Sequence, residues 1–238
     1  MQPYHFSVPL LRAAVWSVEP LLPSGDDGFL DIATGPPDVG FLEPLLRRRL
    51  SPLGRGMLHC AGRVADGFGP LPSVFASRHG DVARTMPILE DLARGVSPSP
   101  TQFSMNVQNA VAGIWSIARQ DPSPSISLAA GAETFGLGLL EAHSIQARTP
   151  GQPVLFVYAE EPLPALFAPF ADRELPLHAV ALLVGLPAAR QLVVSRKPDR
   201  SGDEAPVPQS MQALQALLAG HCQGPWTEAS GTWSWRVD

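Results

Sequence analysis

Cysteine is scarce. Cys60 and Cys222 are the only two, and no CxxC or Cys/His ligand spacing accompanies them, which argues against a disulfide framework and a zinc site. Neither a metal nor any other cofactor is expected. Basic runs are equally sparse: the formal net charge is -5 and the longest arginine cluster is Arg47-Arg48-Arg49, with Arg55 just beyond, so a general nucleic-acid surface is not expected. The sequence has no stretch of about 18 uninterrupted apolar residues, and Met1 to Leu11 lacks a charged start followed by a long apolar run. Membrane insertion is therefore not expected, and the cytoplasm is the expected location. Gly131, Gly136 and Gly138 match neither GxGxxG nor GxxxxGK[ST], which leaves close packing as their reading rather than a phosphate loop.

What the sequence does have is apolar content: 238 residues, 45% hydrophobic, enough for one large core and read as a single domain over 1–238. The 26 prolines and 21 glycines fall between periodic segments and read as turns. Tyr4 to Val18 predicts a strand interrupted near Pro9, and residues 19–40 read as loop. Phe41 to Ala65 predicts two short helices broken at Pro52 and Gly54. Then come a strand over Leu71 to Ser77, a helix from Asp81 to Arg94, a loop at Pro98 to Ser104 and a helix over Asn106 to Arg119. A strand, Ser125 to Ala130, leads to a helix over Glu133 to Ala147. Val154 to Ala159 is almost continuously apolar, as in a strand covered on both faces. Two more strands, His178 to Val184 and Leu192 to Arg196, precede a polar loop (Pro198 to Pro208), expected to be mobile. A short helix (Met211 to Ala219) and a tail, Trp226 to Trp235, holding three of the five tryptophans, complete the chain. This alternation predicts an α/β fold, a mixed central sheet with helices on both faces.

Chemistry-bearing residues are few. Ser77-Arg78-His79-Gly80-Asp81 holds the three residue types of a hydrolase triad, but a triad must converge in space, and so tight a local cluster reads first as a turn with a helix N-cap at Gly80 or Asp81. Cys60 stands beside His59 on a predicted helix, where neighbours point about 100° apart, so a structural cysteine is the simpler reading. Glu160-Glu161 could be an acid/base pair, or a strand end reaching water. Arg47 to Arg49 could receive an acidic partner or be a solvated helix face. The strand at Ser125 turns through Ala129-Ala130-Gly131-Ala132 into a helix, the layout that mounts a nucleophile in many enzymes. No nucleophile is present in it.

The stretch from Ser97 to Ala142, "SPSPTQFSMNVQNAVAGIWSIARQDPSPSISLAAGAETFGLGLLEA", resembles the N-terminal half of the β-ketoacyl synthases. Its Asn109-x-x-x-Gly113 segment, turn, strand and elbow follow in that family's order, and the similarity extends more weakly over about residues 55–185. The family's Thr-Ala-Cys elbow aligns with Ala129-Ala130-Gly131, so the acyl-accepting cysteine falls on Gly131. The second thiolase half with its catalytic histidines is not expected after residue 200. A short chain of this kind resembles the chain length factors of aryl polyene and xanthomonadin-type pathways.

That resemblance implies half of a thiolase-like fold and a non-catalytic subunit. Such a subunit would pair with a full-length β-ketoacyl-ACP synthase and meet the acyl carrier protein only indirectly. It implies a partner interface at Ser125, Ile126, Ser127, Leu128, Ala129, Ala130 and Asn109, and an acyl tunnel lined by Phe103 and Asn106, with Phe135 at its blind end. The alternatives are a small serine hydrolase or acyltransferase acting alone through Ser77 with a histidine, and a structural homodimer.

Overall fold

The computed structural model describes residues 4–23, 25–171, 175–197, 208–219, 221–224 and 232–238, with the backbone alone at Tyr4, Gln102 and 221–224. Most of the predicted Pro198 to Pro208 loop, and Trp226 in the tail, lie outside the described residues.

The strands join one mixed sheet. From one edge it runs β5 (Ser125–Leu128), β4 (Ser73–Ala76), β6 (Val154–Glu160), β7 (His178–Val184), β1 (Tyr4–Ser17), β8 (Arg190–Lys197), β10 (Thr232–Val237) and β9 (His221–Gly224). β5, β4 and β6 are mutually parallel, and β7 runs antiparallel to both β6 and β1. A small hairpin, β2 (Gly25–Asp26) and β3 (Leu30–Thr34), attaches to the second half of β1. The glycine- and proline-rich stretch 19–40, expected to be loop, therefore contains two strands. Their apolar residues are too few and too interrupted to announce themselves.

β1 is continuous through Pro9, contrary to the expected break. Its first half pairs with β8 and its second with β7, and the register slips between Leu10 and Arg12. That irregularity changes which parity faces which side: Phe6, Val8 and Leu10 share a core with Ala13 and Val15, whereas Ala14 and Trp16 face the opposite core. A bulge has this effect because side chains alternate with a period of two.

Helices cover both faces. On one side α6 (Thr134–Arg148) and α7 (Gln209–Ala219) pack over Val74, Phe156, Val180 and Leu182. On the other, α2 (Pro52–Val64) and α5 (Ala110–Arg119) cover Phe75, Leu155, Val157 and Leu183. β6 thus buries alternate residues on both faces, which is why its sequence reads as one apolar run. Ser51 caps α2 by accepting the Gly54 N–H, with Pro52 in the first turn. Gly56 is required by contact: a Cβ there would lie 2.5 Å from the Trp16 ring.

The remaining helices are α1 (Pro44–Arg49), α3 (Val82–Ala93) and α4 (Pro100–Ser104). The expected loop at Pro98 to Ser104 thus carries a turn of helix, and the helix expected from Asn106 starts at Ala110. A 3-10 turn spans Ala165–Phe170.

Candidate functional site: elbow and adjoining cleft

Among the described residues β5 is the outermost strand of its edge, paired only with β4. The carbonyls of Pro124 and Leu128 accept from the N–H groups of Ser73 and Ser77. Main-chain groups alternate along a strand, so the N–H groups of Ser125 and Ser127 point away from β4, off the sheet. Ile126 is 37% exposed. On the chain leading to α5, Phe103 is 59% and Val107 42% exposed. A helix feeding a parallel strand runs antiparallel to it, so the start of α5 lies at the end of β5 that carries the elbow. Asn106 is half-buried in this segment, and neither atom of its side-chain amide has a partner among the described residues.

The elbow closes on itself. Ala130 N–H donates to Thr134 Oγ1 at 2.9 Å, and that hydroxyl donates to Gly131 O at 2.6 Å. Gly131 has φ +57°, and a Cβ built on it would meet nothing within 4 Å. Its glycine is therefore demanded by backbone conformation and not by crowding. Glu133, the last residue before α6, accepts from Arg196 Nε of β8 and Trp233 Nε1 of β10, each at 2.9 Å, anchoring the elbow to strands far along the sheet.

Beside the elbow a cleft opens at the carboxyl ends of β4 and β6. Its outer part is lined by Gly131, Val82, Leu163, Phe167 and Phe170. Its inner part, about 160 Å³, is walled by Phe135, Tyr158, Glu160, Glu161, His178 and Gln209. Arg78, His79, Leu163 and Ala171 border both parts. Phe135 is buried, with its ring edge-on to Phe156, Tyr158 and Trp235.

The polar wall is organised by backbone. Glu160 accepts from the N–H groups of Arg78 (2.9 Å) and His79 (3.3 Å) and from the Tyr158 hydroxyl (3.2 Å), while Glu161 accepts from Ala83 N–H (3.1 Å). Burial pushes both carboxyls up to about 7 despite these donors. Instead of simply reaching water, the pair holds the turn between β4 and α3. His178 is buried, and desolvation keeps its imidazole below the ordinary range. Its Nδ1 lies 3.0 Å from Pro176 O, which can only accept, so Nδ1 carries the proton and Nε2 accepts from the Ser210 hydroxyl at 3.2 Å. Gln209, 2% exposed, accepts Gly136 N–H at 2.8 Å through Oε1, and its Nε2 has no partner among the described residues.

The other sequence candidates separate. Ser77 is buried and its Oγ accepts from Gly80 N–H, closing a turn ahead of the N-cap Asp81. Cys60 is fully buried on α2, where burial pushes its thiol up, while His59 Nδ1 accepts from Asp38 N–H. Arg47, Arg48 and Arg49 form the last turn of α1. Among the described residues, no group of three or more His, Cys, Asp or Glu could hold a metal ion, and no helix is long and apolar enough to cross a membrane. A larger groove of about 780 Å³ lies around α2 and α5, but its Arg63 is paired with Asp31 and its Arg119 binds Phe68 O and covers the Trp115 ring.

The elbow is legible in the sequence and Phe135, expected there at a tunnel's blind end, lines the cleft, whereas the sequence does not mark His178 and Gln209 as parts of it. No local signal marks them, because each reaches Phe135 only through the fold.

A chain in the complex of the ketosynthase ApeO with its chain length factor ApeC from Xenorhabdus doucetiae superposes with a TM-score of 0.77 at 26% identity, over 97% of this chain and 99% of that one. The two are therefore of nearly equal length. The ishigamide ketosynthase/chain length factor matches at TM-score 0.55 and 18% identity, over 75% of this chain and 57% of that one. A β-ketoacyl synthase from Burkholderia phymatum matches at 0.54 and 13%, over 77% and 56%. These last two share the fold, and the chain spans little more than half their length. No curated relative matches the sequence. The family profile of the β-ketoacyl synthase N-terminal domain matches residues 23–236. With its mixed sheet, covered faces and strand-elbow-helix unit, the chain belongs to the β-ketoacyl synthase N-terminal domain family.

Proposed function

We propose that this chain is a non-catalytic chain-length-factor subunit, pairing with a full-length β-ketoacyl-ACP synthase and shaping the tunnel in which an acyl chain, such as a polyene delivered on acyl carrier protein, grows. The observation that carries the reading is the near end-to-end likeness to a chain of nearly equal length from a ketosynthase–chain length factor complex. The cytoplasm, where such carriers work, is the matching location.

The residues fit this role in physical terms. The edge strand Ser125, Ile126, Ser127 and Leu128, continuing into Ala129 and Ala130, offers outward main-chain groups to an antiparallel partner strand. Asn109, the N-cap of α5, joins this interface in the same reading. Phe103 and Asn106 reach toward the partner's tunnel, and Phe135 closes the cleft beside the elbow. Gly131 occupies the nucleophile position of the ketosynthases, and a glycine cannot carry an acyl group. Such a subunit needs no catalytic group, since a bulky wall residue limits chain length by steric clash alone.

Co-expression with a full-length ketosynthase tests the pairing. A 1:1 complex by size-exclusion chromatography with mass determination is expected, with no condensation by this chain alone and no labelling of Ser77 by a fluorophosphonate. A monodisperse, active monomer would refute it.

A further inference from the structure

We propose that the larger groove, on the face of the sheet opposite α6, is a binding site for a short zwitterionic peptide. Arg12 and Arg119 hold its carboxylate and Asp38 its ammonium. The site is separate from the elbow and the cleft, and the subunit role does not depend on it.

The groove, about 780 Å³, has the size of a small-ligand site, and it carries charges of both signs without counter-ions. Arg12 Nη1 donates to Asp66 O at 2.7 Å, with its guanidinium 5.1 Å from the centre of the Phe68 ring. Arg119 Nη2 donates to Phe68 O at 2.6 Å, with its guanidinium 5.2 Å from the Trp115 ring. Each carbonyl takes one of five guanidinium N–H groups and neutralises no charge, and neither arginine has a carboxylate partner among the described residues. The two carbonyls lie two residues apart in one turn, within about 7 Å, so the guanidiniums converge. Asp38 accepts Gly40 N–H through Oδ1 at 2.9 Å, and neither it nor Asp66 forms an ion pair among the described residues. Arg63, by contrast, is paired with Asp26 and Asp31.

Those charges select the ligand. A simple anion would be repelled by Asp38 and Asp66, and a simple cation by Arg12 and Arg119. A molecule with both charges gains at both ends, and a carboxylate matches the planar guanidinium fork. Spacing sets the length. Phe41, three residues on from Asp38, meets the Trp115 ring edge-on at 6.0 Å, and Arg119 lies over that same indole, which places two rings between the opposite charges. A free amino acid, with both charged groups on one carbon, is too short, whereas two or three residues at about 3.3 Å each span the gap. Trp115 is 2% exposed and its Nε1 has no partner among the described residues. A peptide carbonyl supplies the acceptor once the Phe41 ring, 46% exposed, turns aside.

The experiment titrates the full chain, labelled with ¹⁵N-tryptophan, with the tripeptide Gly-Leu-Gly, its N-acetyl and C-amide forms, and glycine. Trp115→Phe identifies the Trp115 indole signal among those of the five tryptophans. The tripeptide is expected to shift that signal, with each blocked form and glycine binding at least tenfold more weakly. Asp38→Asn keeps the oxygen that accepts from Gly40 but removes the charge, and should bring the free and acetylated tripeptides to within twofold of each other. The proposal is overturned if the tripeptide leaves the Trp115 signal unmoved, or if a blocked form or glycine binds within tenfold of it. It is overturned equally if the Asp38→Asn chain still discriminates against the acetylated form by more than twofold.

Discussion

Glu133 and Arg196 are distant in sequence yet meet carboxylate to guanidinium at 2.9 Å, with Arg196 only 3% exposed. The pair ties the residue that ends the elbow to a strand beyond the middle of the sheet. Removing one member strands the other in a poorly solvated place, which typically costs about 3–5 kcal/mol. Arg196→Met should therefore lower chemical-denaturation stability by roughly that amount, and Glu133→Gln by less, because the amide oxygen still accepts from Trp233.

Gly131→Ala isolates the backbone requirement at the elbow. The added methyl has open space, so the expected loss is only the left-handed backbone penalty, about 1–2 kcal/mol. Thermal melting measures it. Affinity for a ketosynthase partner should stay within a factor of two, since no chemistry is assigned to this residue.

Two phenylalanines should behave oppositely. Phe135→Ala removes a buried ring and should cost about 3–5 kcal/mol, so the milder Phe135→Leu is the variant for product analysis and should lengthen the chains made by the pair. Phe103→Ala removes an exposed ring and should leave the isolated chain within about 0.5 kcal/mol of the parent. It should still shift product length in the complex, as should Asn106→Trp. Unchanged product profiles would remove these positions from the tunnel.

Stability should respond to pH through Glu160 and Glu161. Their folded values near 7 lie above the ordinary 4.5, so the folded state binds more protons between these limits and stability falls as pH rises from 4.5 to 7. His59, His143 and His178 are held below 6.5 and act in the opposite direction below that pH. Comparing the parent with Glu161→Gln cancels the histidines. The variant, neutral throughout, should gain on the parent from pH 5 to pH 8, by about 1–2 kcal/mol once solvent screening of Glu161 is allowed for. A constant difference across that range would show that Glu161 titrates normally.

How much was legible follows from how local each signal is. The sequence predicts β7 to the residue, because the six-residue apolar run after His178, Ala179 to Val184, suits a strand at the middle of a sheet. β1 runs through Pro9 where the sequence predicts a break: a proline lacks a donor, but its carbonyl still accepts from Gly185 N–H, and pairing continues on both sides of it. The short strands β9 and β10 were missed because their partners, each other and β8, are set by tertiary pairing. The elbow was legible from its small residues and flanking periodicities. The cleft was not, since Glu160, His178 and Gln209 come from the end of one strand, the start of another and the start of a late helix.

The most direct test of the central claim is amide hydrogen exchange at β5, free and with a co-expressed ketosynthase. The amides of Ser125 and Ser127, which point off the sheet edge, should exchange rapidly in the free chain and slow at least tenfold in a 1:1 complex, while Ile126 and Leu128, turned toward β4, should change far less. A stable complex in which Ser125 and Ser127 remain as fast as in the free chain would contradict pairing through this edge, and failure to form any complex would contradict the subunit role itself.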